Sequence, residues 1–147
     1  MICFTRDEQE TRCLGRRFSK KMQSGIVLLL SGNLGSGKTT FVKGLAEGLM
    51  IEKPVRSPTF NLLRVYKIKK NKKISLLVHA DLYRLKDANE IVDLGLLEFI
   101  GDKKTLVAIE WPKKIIPFLK KKKTNARIKR IKFSINGGKR KIIFLKK

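Results

Sequence analysis

Glycines, a lysine and a threonine follow one another with the spacing of a phosphate-binding loop. Residues 32–39 match G-x-x-x-x-G-K-[ST] in full, with Gly32, Gly37, Lys38 and Thr39 in the four fixed places. Such glycines let backbone N–H groups turn inward around a phosphate, the lysine reaches the β- and γ-phosphates, and the threonine hydroxyl binds Mg²⁺. The residues expected to bind a nucleotide are Asn33, Leu34, Gly35, Ser36, Gly37, Lys38, Thr39 and Thr40.

Two carboxylates end apolar runs further along the chain. Asp81 closes residues 74–81, and Glu110 closes residues 105–110. Open α/β sheets place their ligands at the carboxyl ends of strands, and an apolar strand that ends in an acid is the Walker B arrangement, which holds Mg²⁺ directly or through water. A single acid of this kind is commonly a surface carboxylate. Two of them beside a phosphate loop favour a metal site.

A segment with two prolines, residues 53–60, follows the helix after the phosphate loop. In many phosphate-loop proteins, this connection carries a Thr or Ser that senses the γ-phosphate through Mg²⁺ and reorders on hydrolysis. Ser57, Pro58 and Thr59 form the candidate switch, with Thr59 as the sensor. A rigid connector explains the same residues equally well, so both interpretations stay open here.

Hydrophobic periodicity predicts the elements that would position these residues. A capping box at Thr5 and Glu8 predicts a helix to about Met22, and an Asn136-Gly137 turn predicts a C-terminal hairpin of residues 126–134 and 139–145. The other predictions are strands over 26–30, 61–68, 74–79 and 105–110, a helix over 40–50, short helices over 87–97 broken at Gly95, and a basic loop over 120–123. A length of 147 residues indicates one domain covering 1–147.

The formal net charge of +23 admits two explanations. A basic surface attracts RNA, DNA or an acidic protein through counterion release and long-range steering. However, 25 of the 35 basic residues are Lys, they are scattered over the chain, and no basic face interleaved with aromatic residues is evident. AT-rich coding DNA therefore explains the charge slightly better. What the run at 120–123 contacts is not indicated.

No apolar run approaches the length of a membrane span, and the first residues lack the pattern of a signal peptide. Cys3 and Cys13 do not have the spacing of a metal site, and a reducing compartment would keep them as thiols. A cytoplasmic protein without a membrane partner is expected.

Together, these blocks resemble the TsaE family, also known as YjeE, of small bacterial ATPases needed for the N6-threonylcarbamoyladenosine (t6A) modification of tRNA. The matching blocks are residues 32–41, 57–60, 79–84, 94–96 and 109–112, in the order of the family. The Ser-Pro-Thr, Asp-Leu-Tyr-Arg and Glu-Trp-Pro blocks are far more specific than the phosphate loop alone. Asn33, Ser36 and Ala80 depart from the usual family residues, and none of these departures touches a phosphate or metal ligand.

The resemblance implies a P-loop NTPase-like, three-layer α/β fold with a mainly parallel central sheet, in addition to the C-terminal hairpin. It implies ATP and Mg²⁺ as ligands, with Lys38 on the phosphates, Thr39 and Glu110 serving the metal, Asp81 helping the metal or the attacking water, and Trp111 beside the nucleotide. Lys38, Asp81 and Glu110 are the expected catalytic residues. Family members act with TsaB and TsaD, and TsaD transfers the threonylcarbamoyl group, so tRNA is reached indirectly through the complex.

The expected function is therefore an ATPase that is slow by itself. One alternative is a small-molecule or nucleoside kinase, which usually needs a lid and an acceptor pocket, and 147 residues leave little room for them. Another is an ATP-switched module whose basic surface binds RNA, for which steep salt dependence of RNA binding would be the sign.

Overall fold

A seven-stranded mixed sheet organises the computed structural model, which describes residues 1–58, 61–71, 73–121 and 126–145. The strands are β1 (Ile2–Thr5), β2 (Ile26–Gly32), β3 (Leu63–Lys67), β4 (Leu76–Asp81), β5 (Thr105–Glu110), β6 (Arg127–Asn136) and β7 (Lys139–Phe144). The helices are α1 (Glu8–Ser19), α2 (Lys38–Gly48), α3 (Glu90–Asp93), α4 (Leu96–Phe99) and α5 (Ile116–Lys121), with a 3₁₀ turn at Pro112–Lys114. The predicted strands and the helix after the phosphate loop are confirmed to within two residues at each end.

The centre of the sheet is parallel and its edges are antiparallel. In the order β1-β7-β6-β2-β5-β4-β3, the neighbours β6, β2, β5 and β4 run parallel, whereas β3 at one edge and β7 and β1 at the other pair antiparallel. β2 is an unbroken apolar run because both of its faces are covered, and Ile26 to Leu30 are at most 2% exposed. The expected α/β fold with a parallel central sheet and a C-terminal hairpin is confirmed.

Helices cover both faces of the central strands, which completes the three layers. One core joins α1 and α2 to one face, where Phe41 of α2 packs with Leu28 of β2. The other core joins the three short helices to the opposite face, where Ile91 of α3 and Leu119 of α5 pack with Leu29 of β2. Among the described residues, no helix is long and apolar enough to cross a bilayer.

Glycines allow α1 and α2 to approach closely. A Cβ added at Gly15 would lie 2.3 Å from the Phe41 carbonyl oxygen, and one added at Gly44 would lie 2.1 Å from the Arg12 carbonyl oxygen. Neither position accepts a side chain without moving backbone atoms. The helix that starts at the phosphate loop is therefore held directly against the backbone of α1.

The N-terminal helix starts later than predicted. Asp7, not Thr5, is its N-cap, and the Asp7 Oδ1 accepts the Glu10 N–H at 2.7 Å. Glu10 Oε2 in turn accepts the Arg6 N–H at 2.8 Å. The predicted capping box of Thr5 and Glu8 is wrong. Asp7 and Glu10 form a similar cap two residues further on, but Glu10 accepts from the N–H of Arg6 and not from that of the N-cap residue Asp7.

Strand pairing explains why Thr5 is not the N-cap of α1. Thr5 is the last residue of β1, opposite Arg140 of β7, and its hydroxyl lies 2.7 Å from that of Thr11 in α1. The helix also ends at Ser19 rather than near Met22. β1 was not predicted because four residues at a chain end carry little periodicity, and their pairing partner lies at the other end of the chain.

The C-terminal hairpin is present, but its turn differs by one residue. Gly137 and Gly138 have φ values of 55° and 73°, whereas Asn136 is still paired with Lys139. Two consecutive residues with positive φ suit the type I′ turn of a tight hairpin, and Gly138 is better suited to it than Asn136.

The two short helices, α3 and α4, are separated by Gly95 with φ of 65°, as predicted.

The basic run at 120–123 was predicted to be a loop. Lys120 and Lys121 instead form the exposed last turn of α5, because Leu119 anchors that helix in the core. Lys122 and Lys123 lie outside the described residues.

Candidate functional site

The phosphate-binding sequence forms a loop between β2 and the first turn of α2. Gly37 caps α2 with φ of 99°, and a Cβ at Gly32 would lie 2.2 Å from the Phe133 carbonyl oxygen. Ser36 is fully buried, and its hydroxyl donates to the Asn33 carbonyl oxygen at 2.7 Å. The loop thus lies at the N-terminus of an eleven-residue helix, where free N–H groups and the helix dipole favour an anion.

Lys38 points into the loop. Its Nζ donates to the carbonyl oxygens of Gly32 and Asn33, each at 2.9 Å, and lies 4.3 Å from the centre of the Trp111 ring. Burial lowers the pKa of the Lys38 ammonium, and the neighbouring Glu110 and Asp81 carboxylates oppose that shift. The lysine is positioned where a phosphate at the helix N-terminus would be within its reach.

Thr39, in the first turn of α2, contacts Glu110 at the end of β5. The Thr39 hydroxyl lies 2.9 Å from Oε1 and 3.1 Å from Oε2 of Glu110. Glu110 ends β5 and is only 2% exposed. Parallel pairing of β4 and β5 places Asp81 directly beside it in register. The structure therefore brings together both predicted acids and the threonine of the loop.

Asp81 has an unusual electrostatic setting. Burial raises its pKa, and the Glu110 carboxylate adds to that rise, while the Tyr83 N–H, His79 and Lys38 act in the opposite direction. The Tyr83 N–H donates to Asp81 Oδ1 at 3.0 Å. A carboxyl group that holds its proton more readily than usual is suited to accept a proton from water or return one.

His79 is a part of the site that the sequence reasoning missed. Its ring is fully buried, and Nε2 lies 2.9 Å from Glu110 Oε1. An ionised carboxylate can only accept, so this geometry places a proton on Nε2. His79 Nδ1 has no hydrogen-bond partner among the described residues.

The strand pattern carried a signal for His79. Residues two apart on a strand share a face, so His79 and Asp81 point the same way, and their register partners Ala108 and Glu110 share that face. Pairing β4 with β5 in parallel would therefore have placed the imidazole beside the acid.

Trp111 lines one side of the site, and its backbone has a positive φ that is uncommon for a residue other than glycine. It has φ of 56°, and its N–H donates to the Leu30 carbonyl oxygen at 3.1 Å. Its ring lies 4.7 Å from the ring of Tyr83, measured between centroids. A non-glycine residue in this region is held there by its surroundings, and Pro112 immediately afterwards restricts the chain further.

These groups surround one pocket of about 350 Å³. Predicted residues that line it are Leu34, Gly35, Gly37, Lys38, Thr39, Thr40, Ser57, Asp81, Glu110 and Trp111. Asn33 and Ser36 belong to the phosphate loop but do not line the pocket. Pro58 of the candidate switch is buried, and its carbonyl oxygen accepts the Leu62 N–H at 2.8 Å. Thr59 lies outside the described residues, so the switch remains a prediction.

Other lining residues were not among the predicted site residues. Tyr83 and Arg84 follow Asp81, and Glu8 comes from the start of α1. The blocks around Asp81 hinted at the first two. Nothing in the sequence indicated Glu8, because its position depends on how α1 packs beside the phosphate loop.

The fold and the loop define a P-loop NTPase-like α/β protein. A family model described as "Threonylcarbamoyl adenosine biosynthesis protein TsaE" matches residues 5–142. The chain belongs to the TsaE family.

Individual relatives agree with that assignment. The chain is 40% identical over 107 residues to the tRNA threonylcarbamoyladenosine biosynthesis protein TsaE of Bacillus subtilis, covering 73% of this chain and 63% of that protein. It is 38% identical over 115 residues to the protein of the same name from Treponema pallidum, covering 78% and 81%. The crystal structure of Bacillus subtilis YdiB superposes with a TM-score of 0.68 and 28% identity, covering 98% of this chain and 83% of that one.

Proposed function

We propose that this chain is a Mg²⁺-dependent ATPase that supports the t6A modification of tRNA. The observation that carries the proposal is the convergence of Lys38, Thr39, Glu110 and Asp81 on one pocket at the N-terminus of α2. Family membership connects this chemistry with t6A biosynthesis. Work on tRNA also fits the expected cytoplasmic location.

The donor atoms fit Mg²⁺ bound together with a nucleotide. Mg²⁺ prefers hard oxygen ligands and is usually held by one or two protein groups plus phosphates and water. The Thr39 hydroxyl and the Glu110 carboxylate supply such oxygens within 3.1 Å of each other. Bound there, the ion would neutralise charge on the phosphates.

The chain's own residues have separate tasks in this scheme. The loop N–H groups and Lys38 bind the phosphates, and Lys38 exchanges its two carbonyl contacts for phosphate oxygens. Asp81 orients the attacking water and accepts its proton, which its raised pKa favours. Trp111 and Tyr83 restrict the access of bulk water from one side. Positioning and charge neutralisation therefore account for most of the catalysis.

The partners in this scheme are TsaB and TsaD. ATP hydrolysis by this chain would support turnover of the complex, while TsaD performs the transfer to tRNA. In this division of labour the partners carry out the chemistry on tRNA, and this chain supplies the hydrolysis of ATP.

Product analysis tests the chemical step. Purified protein is incubated with ATP, Mg²⁺ and water alone, and ADP and inorganic phosphate are measured, with an EDTA-treated sample as the control. Slow release of phosphate that stops with EDTA is expected. A nucleoside or small-molecule kinase would be nearly silent without its acceptor.

Co-purification with the TsaB–TsaD pair, with and without ATP, tests the biological step. Association that depends on ATP, together with faster phosphate release, is expected. No association under either condition would count against the role in t6A formation while leaving the ATPase result intact.

A further inference from the structure

The positive charge is concentrated in one part of the chain. After Glu110 there is no Asp or Glu, and these last 37 residues contain 15 Lys and Arg. The first 110 residues contain all 12 acidic residues beside 20 basic ones. The scattered-lysine explanation of the charge therefore does not describe the C-terminal part, which includes β6 and β7.

The structure places part of this charge on an open sheet face. On β6 and β7, Ile131, Phe133 and Ile142 point into the core under α1 and α2. The alternate residues point to the opposite face, and among the described residues no helix covers that face at β7 and β1. Phe4 and Ile2 of β1 are accordingly 56% and 55% exposed.

Strand register defines the pattern on this face. Phe4 lies opposite Lys141, which lies opposite Ser134. In the neighbouring row, Ile2 lies opposite Ile143, which lies opposite Lys132. We define the basic sheet face as the set of Ile2, Phe4, Arg130, Lys132, Lys139 and Lys141. It combines an exposed aromatic ring with four cations and contains no acid.

Sequence reasoning found no basic face with an aromatic residue because the parts are far apart in the chain. Phe4 belongs to the first strand and Lys141 to the last. Only the antiparallel pairing of β1 with β7 brings the ring and the cations together.

We propose that the basic sheet face binds a single-stranded segment of RNA directly. In sheet-based RNA recognition, an unpaired base stacks on an exposed aromatic ring while nearby cations contact the phosphates. Phe4 supplies the ring, and Lys141 and Lys132 lie in its own row and the next, with neighbouring strands about 4.8 Å apart. A helical duplex offers no free base to the ring, so the face favours unpaired nucleotides.

Charge decides between RNA and other partners. A protein partner would have to be strongly acidic over its whole contact, since no carboxylate on this face can pair with a basic residue. An anionic membrane would bind the cations but would not distinguish Phe from another apolar side chain. This inference does not depend on ATP or on TsaB and TsaD.

Fluorescence anisotropy with a labelled twelve-nucleotide oligouridine tests the proposal on the full chain without ATP. Wild-type protein should bind with a log–log salt slope near −3, which is about 0.7 per cation for four cations. Phe4→Leu, which keeps an apolar side chain but loses the ring, should weaken binding by about 5-fold or more. The double variant Lys132→Ser with Lys141→Ser should bind more weakly, and its salt slope should be shallower by about 1.4.

The matched control is Lys70→Ser with Lys103→Ser, which removes the same charge from exposed positions elsewhere. It should leave the affinity within about 2-fold, since only long-range attraction changes. Equal weakening by both double variants would overturn the proposal, as would unchanged affinity in Phe4→Leu. Tighter, face-dependent binding to polyglutamate or to phosphatidylglycerol vesicles than to RNA would also overturn it.

Photocrosslinking tests the wild-type chain without any substitution. A 4-thiouridine oligonucleotide should crosslink to peptides from residues 1–6, 130–134 or 139–145. Crosslinks confined to other peptides would contradict the proposal even if a variant failed to fold. A hairpin duplex of equal length should compete at least about 10-fold less well than the single strand, and a duplex that competes equally would contradict the stacking on Phe4.

Discussion

His79 Nε2 lies 2.9 Å from Glu110 Oε1, and both side chains are almost fully buried. The same carboxylate also faces the Thr39 hydroxyl. His79 therefore holds the acid in the orientation in which it meets the phosphate loop, and we regard it as a positioning residue. In the proposed scheme Glu110 serves Mg²⁺, and groups that orient a metal ligand commonly contribute about 10- to 100-fold to activity or metal affinity.

Replacing His79 by Leu should lower the turnover number kcat for ATP by about 10- to 100-fold. Glutamine has an amide that can donate from a similar position, so His79→Gln should recover part of the loss. Because a purely structural defect would weaken nucleotide binding in general, ATP affinity is measured with and without Mg²⁺. We expect His79→Leu to reduce only the Mg²⁺-dependent part, and an equal loss in both conditions would contradict the positioning role.

Lys38→Ala and Glu110→Ala should separate binding from turnover. In the proposed scheme the Lys38 ammonium contacts the phosphates directly, so its loss should lower ATP affinity by about 30-fold or more. Glu110→Ala should retain nucleotide but lower kcat by at least about 100-fold. Calorimetry and phosphate release measure the two effects.

Matched controls are available for both variants. Lys43→Ala changes another lysine of α2, and Glu98→Ala removes an exposed acid of α4, so neither should change ATP affinity or turnover more than about 2-fold. Unchanged hydrolysis in Glu110→Ala would remove that acid from the mechanism.

Trp111 should report nucleotide binding by its fluorescence. It is the single tryptophan of the chain, and the Lys38 Nζ lies 4.3 Å from its ring centre. When Lys38 turns to a phosphate, the cation leaves the ring and the emission should change. Lys38→Met should differ from wild type before ATP is added and should not respond to ATP. An ATP response in Lys38→Met equal to that of wild type would show that another contact causes the signal.

Asp81→Asn should stabilise the nucleotide-free protein in a pH-dependent way. Burial raises the folded-state pKa of Asp81 above its ordinary value of 3.8, so the folded state binds the proton more tightly than the unfolded state. The contribution of Asp81 to stability is therefore greatest below 3.8 and falls as pH rises through the raised pKa. Urea titrations should give a free energy of unfolding that is higher for Asp81→Asn at about pH 7, with the two proteins converging near about pH 4. A difference independent of pH would contradict this origin.

Gly44→Ala should destabilise the protein although alanine favours helices. In an ordinary helix this change would stabilise by up to about 1 kcal/mol. Here the new Cβ would meet the Arg12 carbonyl oxygen at 2.1 Å, so a loss of about 1–3 kcal/mol is expected in urea denaturation.

Gly137→Ala is the control, because its Cβ would have no neighbour within 4 Å. Its positive φ should cost about 1 kcal/mol for a conformational reason alone. A gain in stability for Gly44→Ala would show that the helices separate more easily than their contact indicates.

The parts of the site that lie in one segment were predictable from the sequence. Local pattern places Lys38 and Thr39 at a strand-loop-helix junction and Glu110 at the end of a buried strand. Local pattern does not indicate which elements are neighbours in space. The contact of His79 with Glu110 and the position of Glu8 at the pocket were therefore not predicted. The capping box at Thr5 was wrong for the same reason, since pairing of β1 with β7 outweighed a local helix signal.

The close crossing of α1 and α2 ties the phosphate loop to the N-terminal helix. Because a Cβ at Gly15 or Gly44 would meet a carbonyl oxygen across the crossing, the two backbones are already in direct contact and α2 cannot move closer to α1. The loop at the start of α2 is thus supported by backbone packing. Ser57 and Tyr83 also line the pocket but lie in segments outside the helices and strands, so in the proposed nucleotide cycle we expect these segments to move before α2 does.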